Sequence, residues 1–352
     1  MLKSLKIGKK TINEKRTLIV AEISANHAGS LSKAKKIILA AKKSGADAVK
    51  IQSYVPDSLT LNSNKKDFKI NTNSGKAWLK YKNLYNLYKV GQTPIKWHKP
   101  LFKYCKQINI EIFSSPFDEN MVDVLEKLKC PAYKIASPEI NHFPLLKKVA
   151  QTGKPIIIST GVAFEEDISS AVNFIKKNGN KKICILKCDS NYPSNFLNSN
   201  LSSIKYLKKK FKTFVGFSDH TIGNETAIAS TFFGASVIEK LFNINNNHSL
   251  DSFFSSSPEQ FKDLVKAIRA NEKDKNNKKY KISDMAKANR VSLRSIYISK
   301  NVKKNEIITN KNIRVVRPGY GLHPKFYDKI IGKRFKNKKN FGDCLKLSDI
   351  DF

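Results

Sequence analysis

Short apolar segments and longer amphipathic segments alternate along the chain from residue 17 to about residue 271. Eight apolar segments of five or six residues, each running into polar residues, predict β-strands: Thr17–Glu22, Asp47–Gln52, Glu111–Ser115, Ala132–Ala136, Pro155–Ser159, Ile183–Lys187, Thr213–Phe217 and Ser236–Lys240. Apolar residues at i, i+3 and i+4 spacing predict helices between them, which include Leu31–Lys43, Asn120–Leu128, Pro144–Thr152, Glu165–Lys177, Glu225–Phe233 and Pro258–Asn271. This alternation favours parallel pairing and a closed (β/α)8 TIM barrel of the α/β class. An open doubly wound sheet is the alternative, but no glycine-rich phosphate-binding turn follows the first strand.

The alternation is interrupted after the second strand, where about 58 residues precede the third. A polar stretch rich in Asn and Lys, Leu61–Lys76, is followed by aromatic residues: Trp78, Tyr81, Tyr85, Tyr88 and Trp97. A long insertion after a barrel strand is usually functional. We therefore predict a lid over the site or a wall of the substrate pocket.

A second change of pattern follows the last barrel helix. The sequence predicts a barrel domain over residues 1–271, a Lys- and Asn-rich linker over 272–289, and a small domain over 290–352. The small domain carries strand patterns at Arg294–Ile298, Ile313–Val316 and Lys329–Gly332, and a Pro/Gly turn that begins at Arg317. About 60 residues are enough for a domain with its own core.

The formal charge of +36 is compatible with nucleic-acid binding. The lysines are spread along the chain rather than gathered in one block, however, and Asn and Ile are also abundant. This pattern indicates solvated helix faces, and we expect no specific nucleic-acid partner. We do expect an open cleft to attract anionic substrates.

The five cysteines are scattered and show no zinc-type spacing, which is typical of reduced thiols in a cytoplasmic protein. No stretch of 18 apolar residues and no signal-peptide pattern occurs, so the sequence predicts no membrane association.

Candidate chemistry is concentrated at the predicted strand ends, where barrel enzymes place their active sites. Lys50 and Lys134 lie within apolar strands, and a buried lysine is costly unless it faces a polar site. Together with nearby hydroxyl groups they would form a cradle for an oxyanion or a phosphate; these hydroxyls belong to Ser115, Ser137, Ser159 and Thr160. Glu22 and Glu139 would balance the charge and transfer protons, and His220 is a candidate base or metal ligand. Asp118 is interpreted as a helix cap.

These strand ends resemble the sialic acid synthase family. The resemblance rests on the segments IVAEISANH, GADAVKIQSY, FSSPFD, PAYKIASPEI, GKPIIISTG, YPS, GFSDHT, GASVIEK and RPGYG, and it covers nearly the whole chain. It implies a barrel followed by an antifreeze-like (SAF) domain in a domain-exchanged homodimer. It also implies condensation of phosphoenolpyruvate with an N-acetylated six-carbon amino sugar.

The resemblance also implies roles for individual residues. The phosphate and carboxylate of phosphoenolpyruvate would be bound by Lys50, Ser115, Lys134, Ser137, Ser159 and Ser218. Glu22, Glu139 and His220 would be catalytic. The sugar would meet Gln52, Tyr192, Asp251 and Arg317, of which Arg317 would reach into the barrel of the partner subunit.

One feature of the family is missing from this chain. The resemblance implies a divalent metal, Mn²⁺ or Mg²⁺, held by two histidines, of which His220 matches the first. Leu241 occupies the position of the second. The metal could bind more weakly, His248 could substitute, or activity could be impaired or altered.

The segments KIQSYVPDSLTL and NLYNLYKVGQTPIKWH, and Ser190 before the Tyr192–Pro193 pair, are most similar to the pseudaminate-forming branch of the family. The acceptor implied is a 2,4-diacetamido-2,4,6-trideoxy hexose. The branches that form N-acetylneuraminate or legionaminate are also possible. A Schiff-base aldolase, another phosphoenolpyruvate-using synthase and a charge-driven role without catalysis are the competing hypotheses.

Overall fold

The computed structural model describes residues 3–70, 76–244, 249–274 and 280–352. The chain divides into two compact units, Met1–Asn276 and Asn277–Phe352. This division falls within the segment 272–289 that the sequence assigns to a linker. The last helix of the first unit continues to Asp274, and the first helix described in the second unit is the short helix α11 (Asp284–Ala288).

A short antiparallel hairpin precedes the barrel and was not predicted. Its strands are β1 (Leu5–Ile7) and β2 (Lys10–Ile12). Leu5, Ile7 and Ile12 are buried in the same hydrophobic core as the barrel. Because strands of three residues are too short for a clear alternation, the basic N-terminal segment did not reveal them.

The eight predicted strands form and close into a parallel barrel in the order β10-β3-β4-β5-β6-β7-β8-β9. Their bounds agree with the prediction to within two residues: β3 Leu18–Glu22, β4 Ala48–Ser53, β5 Glu111–Pro116, β6 Tyr133–Ile135, β7 Ile156–Ser159, β8 Ile183–Cys188, β9 Phe214–Asp219 and β10 Val237–Leu241. The closed barrel is therefore confirmed, and the open sheet is excluded. Parallel pairing gathers the carboxyl ends of all eight strands at one end of the barrel.

Ten helices of the described residues belong to the first unit: α1 Leu31–Lys43, α2 Pro56–Leu59, α3 Leu84–Gly91, α4 Ile95–Gln107, α5 Glu119–Lys127, α6 Phe143–Gln151, α7 Glu165–Lys177, α8 Ser203–Phe211, α9 Glu225–Phe232 and α10 Pro258–Asp274. The predicted helices did not include α2, α3 and α4, which lie in the insertion after β4. They also did not include α8, where Ile204, Leu207 and Phe211 form a narrow buried face among lysines. Asp118 caps α5 by accepting a hydrogen bond from the backbone of Met121 at 2.8 Å, as predicted. No helix in the described part of the chain is long and apolar enough to cross a membrane.

The second unit has its own hydrophobic core, which includes Ile296, Ile313 and Phe335. Two antiparallel pairs surround this core: β11 (Ser295–Ile298) with β12 (Ile313–Val316), and β13 (Arg334–Phe335) with β14 (Ile350–Asp351). The predicted strand Lys329–Gly332 is wrong. Its first two residues end helix α12 (Tyr327–Ile330), and Gly332 has a φ of +85°, which suits a turn. A short apolar run does not by itself distinguish a helix from a strand.

Candidate active site

Four charged side chains form one buried cluster at the carboxyl end of the barrel. Lys50 on β4 and Lys134 on β6 are each less than 5% exposed. Lys50 forms an ion pair with Glu22 on the adjacent strand β3. The carboxylate of Glu239 on β10 lies 3.8 Å from the Lys50 ammonium and 3.6 Å from the Lys134 ammonium. The sequence argument that buried lysines require a polar site therefore agrees with the geometry.

The cluster balances two carboxylates against two ammonium groups, and burial and the neighbouring opposite charges together shift their pKa values. Burial raises the pKa of Glu22, although the neighbouring Lys50 opposes the shift. Burial also lowers the pKa of Lys134, despite the attraction of Glu239. Burial would raise the pKa of Glu239, but Lys134 and Lys50 outweigh it and the pKa is lowered. Glu239 is therefore the stable anion of the cluster, while Glu22 is the carboxyl group that most readily carries a proton.

Hydroxyl groups from neighbouring strands surround these charges. Ser115 accepts a hydrogen bond from the Lys50 ammonium at 3.2 Å, and Ser218 donates one to Glu239 at 3.2 Å. Ser137 accepts a hydrogen bond from the backbone of Gly161 at 2.7 Å. The buried Ser159 hydroxyl has no hydrogen-bond partner among the described residues. Buried polar atoms normally have partners, so an unpaired hydroxyl at the end of β7, the strand paired with that of Lys134, suits an incoming anion.

Two further details concern this hydroxyl ring. A side chain at position 161 would place its Cβ 2.1 Å from the Ser190 hydroxyl, so any residue other than glycine would fit beside Ser137 only if the Ser190 side chain moved. Thr160, which the sequence grouped with the serines, instead donates its hydroxyl to the carbonyl of Leu186 at 3.2 Å. The structure therefore brings Ser115, Ser137 and Ser159 to the site and turns Thr160 toward the backbone.

Glu139 lies in the short 3-10 helix Ser137–Asn141 that follows β6. Burial raises its pKa to about 7, although Lys134 opposes the shift. Its Oε2 atom has no hydrogen-bond partner within the described part of the chain. A carboxyl group that titrates near neutrality and has an unpaired oxygen is suited to accept or deliver a proton.

His220 follows β9 and is held on several sides. Its Nδ1 donates a hydrogen bond to the Asp189 carbonyl at 2.8 Å, which leaves Nε2 as the nitrogen that can meet a ligand. The thiol of Cys188 lies 3.8 Å from Nδ1. The two residues next to His220 in the sequence, Asp219 and Thr221, both bind the buried Lys240. The Lys240 ammonium lies 2.6 Å from Asp219 Oδ2 and 2.8 Å from the Thr221 carbonyl.

The residues present do not form a complete metal site. Leu241 is 6% exposed and pairs in register with Glu22, so a hydrocarbon side chain stands where the resemblance implies an imidazole. No group of three or more His, Cys, Asp or Glu side chains that could hold a metal occurs in the described ranges. His248, the possible substitute, lies outside the described residues.

Three of the residues expected to meet the sugar belong to the first unit and lie at or just after the carboxyl ends of its strands. Gln52 is half-buried beside Ser115 in the strand register. Asp251 is buried and accepts a hydrogen bond from the backbone of Ala25 at 3.1 Å, and its burial raises its pKa. Tyr192 packs its ring 4.6 Å from that of His220. The fourth, Arg317, is an exposed residue of the second unit directly after β12.

Sequence reasoning missed Glu239, Cys188 and Trp78. The argument applied to Lys50, that a charged residue in an apolar strand needs a polar site, would also have found Glu239 within Val237–Leu241. No signal in the sequence singled out Cys188, which resembles an ordinary core thiol. The sequence places Trp78 in the aromatic part of the insertion but does not indicate which residues it contacts.

Comparison with known proteins places this geometry in a family. The NeuB family model matches residues 37–280, and the SAF domain model matches residues 294–351. The chain is 44% identical to the pseudaminic acid synthase of Campylobacter jejuni strain 81-176, over 96% of this chain and 97% of the relative. It is 41% identical to the pseudaminic acid synthase of Helicobacter pylori, over 95% and 97% of the two chains.

A solved structure supports the same assignment. The spore coat polysaccharide biosynthesis protein SpsE of Bacillus subtilis superposes with a TM-score of 0.66 at 31% identity and covers 99% of both chains. Family models and relatives thus agree along nearly the full length. The chain belongs to the NeuB family, with a barrel that carries the candidate site and a C-terminal SAF domain.

Proposed function

We propose that the chain condenses phosphoenolpyruvate with a 2,4-diacetamido-2,4,6-trideoxy hexose and water, and releases pseudaminic acid and phosphate. The observation that carries the proposal is the buried cluster of Lys50, Lys134, Glu22 and Glu239, ringed by hydroxyls at the carboxyl end of the barrel. High identity to two pseudaminic acid synthases supports the choice of acceptor.

In this proposal the cluster binds the donor. Lys50 and Lys134 meet the phosphate and carboxylate of phosphoenolpyruvate, and Ser115, Ser137, Ser159 and Ser218 complete the cradle. The lysines are already held by fixed neighbours, so they bind and orient the anion with little reorganisation. Protonation of Glu22, which its raised pKa favours, would offset part of the negative charge that the donor brings.

The reaction forms one carbon–carbon bond and breaks one bond to phosphate. The methylene carbon of phosphoenolpyruvate attacks the aldehyde carbon of the open-chain sugar, and the aldehyde oxygen takes up a proton. Water adds to C2 of the donor and loses a proton, and the resulting hemiketal phosphate expels phosphate to leave the keto acid. Glu139 is the proton carrier in this proposal because its pKa lies near neutrality and its Oε2 is unpaired.

Binding of the sugar is assigned to Gln52, Tyr192 and Asp251, with His220 at its reacting end. We also propose that a divalent cation, Mn²⁺ or Mg²⁺, binds more weakly than it would with two histidines, because Leu241 offers no ligand. No step of the reaction is assigned to this ion. A chain impaired by the missing histidine would instead release little or no phosphate from the same substrates.

We further propose that Arg317 acts in a homodimer. An exposed guanidinium beside a Pro–Gly turn is suited to acetamido oxygens, and we propose that it serves the barrel of a partner subunit. The five free cysteines support a reaction that takes place in the cytoplasm.

The test is an assay of purified protein with phosphoenolpyruvate, Mn²⁺ and one acceptor at a time. The panel contains the 2,4-diacetamido-2,4,6-trideoxy hexoses that lead to pseudaminate and legionaminate, and N-acetylmannosamine. We expect phosphate release and a product with the mass of pseudaminic acid with the first sugar only, and none in a Lys134→Met control. No release with any acceptor would contradict the proposal.

Two controls test for a Schiff-base aldolase and for a role in nucleic-acid binding. Borohydride added during turnover should trap no covalent adduct, since the lysines act as cations; an adduct at Lys50 or Lys134 would favour an aldolase. A gel shift at physiological salt should show only weak, sequence-independent binding to nucleic acid.

A further inference from the structure

An aromatic layer covers the sugar side of the candidate site. Trp78 packs against Tyr192 with ring centroids 5.6 Å apart, and against Phe253 at 6.3 Å. Tyr192 also contacts Phe254 at 5.2 Å and His220 at 4.6 Å. We call these four aromatic residues and His220 the aromatic layer. Its members come from loops at the carboxyl end of the barrel.

Trp78 connects these loops. It belongs to the insertion after β4, whereas Tyr192 follows β8 and Phe253 follows β10. The indole Nε1 of Trp78 donates a hydrogen bond to the carbonyl of Leu250 at 2.9 Å. Leu250 directly precedes Asp251, which is itself anchored to the backbone of Ala25. One side chain from the insertion therefore holds both the loop that carries Tyr192 and the loop that carries Asp251.

Tyr192 is half-buried, and its ring contacts both Trp78 and His220. Burial raises the pKa of its hydroxyl, and the charges of Asp251 and Glu239 act in the same direction. Its side chain therefore combines a desolvated hydroxyl group with a ring that packs against Trp78. A tyrosine with few neighbours would adopt several rotamers, and packing against an indole ring reduces that freedom.

We propose that Trp78 is a positioning residue for the sugar acceptor, acting through Tyr192 and through the Leu250–Asp251 segment. The inference rests on the proposed function and adds a role for the insertion. The donor cradle does not depend on this contact, because Lys50 is held by Glu22 and Ser115, and Lys134 by Glu239. Loss of Trp78 should therefore affect the sugar and spare phosphoenolpyruvate.

The first experiment compares three variants in steady-state kinetics. Trp78→Ala removes the ring contact and the hydrogen bond, and we expect the KM for the sugar to rise about 10-fold with the KM for phosphoenolpyruvate within about twofold. Trp78→Phe keeps an aromatic ring without the Nε1 donor and should recover part of that loss. Tyr85→Ala is the matched control, since this tyrosine of the same insertion donates to Asp57 and does not belong to the layer.

The second experiment tests whether Trp78 acts through Tyr192. Tyr192→Phe removes the hydroxyl that Trp78 is proposed to position. In a double-mutant cycle, the effects of Trp78→Ala and Tyr192→Phe on the sugar KM should be less than additive. Full additivity would contradict the positioning role, and so would equal losses for sugar and donor in a variant whose melting temperature is unchanged.

A binding measurement separates this inference from the proposed function. The chain has two tryptophans, so Trp97→Phe leaves Trp78 as the single indole reporter. Titration with the sugar should change the fluorescence of that variant. If wild-type protein releases no phosphate but the fluorescence responds, the proposed function fails while the inference stands; active protein with no response would overturn the inference.

Discussion

Replacement of Glu239 by glutamine tests the charged cluster most directly. At an effective dielectric constant of about 20, an ammonium group 3.6 Å from the carboxylate contributes about 4 to 5 kcal/mol of attraction before desolvation is counted. Removal of one partner from a buried pair costs about 3–5 kcal/mol in practice. Lys50 retains Glu22, and glutamine can still accept the hydrogen bond from Ser218. We therefore expect the free energy of unfolding to decrease by an amount near the lower limit of this range.

The loss should fall mainly on Lys134, whose pKa is already lowered by burial. Without Glu239 its pKa falls further, so the ammonium is lost at a lower pH. As the pH increases, the KM for phosphoenolpyruvate should then begin to rise at a lower pH in Glu239→Gln than in the wild-type protein.

The pH dependence of stability has a definite sign. The pKa of Glu239 is lowered in the folded protein, so its contribution is complete above its unfolded value of 4.5 and disappears as the pH falls through the folded pKa. We expect Glu239→Gln to lower the free energy of unfolding by about 3 kcal/mol at pH 7. The decrease should become smaller only as the pH falls below 4.5.

The assay is equilibrium unfolding in urea at pH 7 and at a series of lower pH values. Asp123→Asn is the matched control, because Asp123 pairs with Lys148 at 2.8 Å on the surface, where an ion pair contributes about 1 kcal/mol or less. The reasoning is refuted if Glu239→Gln costs no more than this control at pH 7, or if the cost is independent of pH.

Three further predictions concern the metal, the dimer and the proton carrier. Leu241→His should raise the affinity for Mn²⁺ at least 10-fold in calorimetric titrations without substrate; unchanged affinity would show that the missing imidazole does not limit binding. Co-expression of the inactive variants Lys134→Met and Arg317→Ala should restore activity in mixed dimers, because one barrel would then receive an intact arginine from its partner; no recovery would argue against exchange. Glu139→Gln should remove the fall in kcat that the wild-type enzyme shows below about pH 7, and a fall that persists would assign the proton to another group.

Hydrophobic periodicity alone determined the barrel and much of its polar end. Each barrel strand was located to within two residues because alternating apolar segments and amphipathic helices leave little ambiguity. The cost of a buried ammonium pointed to Lys50 and Lys134 before any partner was known. The same reasoning failed for short elements. The strands of the N-terminal hairpin are too short to show an alternation of apolar and polar residues, and Lys329–Gly332 was predicted as a strand although it forms a helix end and a turn.

Tertiary structure decided which of these residues meet. Closure of the barrel pairs the last strand with the first, and this alone brings Leu241 beside Glu22 and lets Glu239 approach Lys50 and Lys134. Packing of the insertion against two distant loops places Trp78 on Tyr192. A sequence pattern specifies the face on which a side chain lies, but the neighbour across that face depends on how the strands and loops assemble.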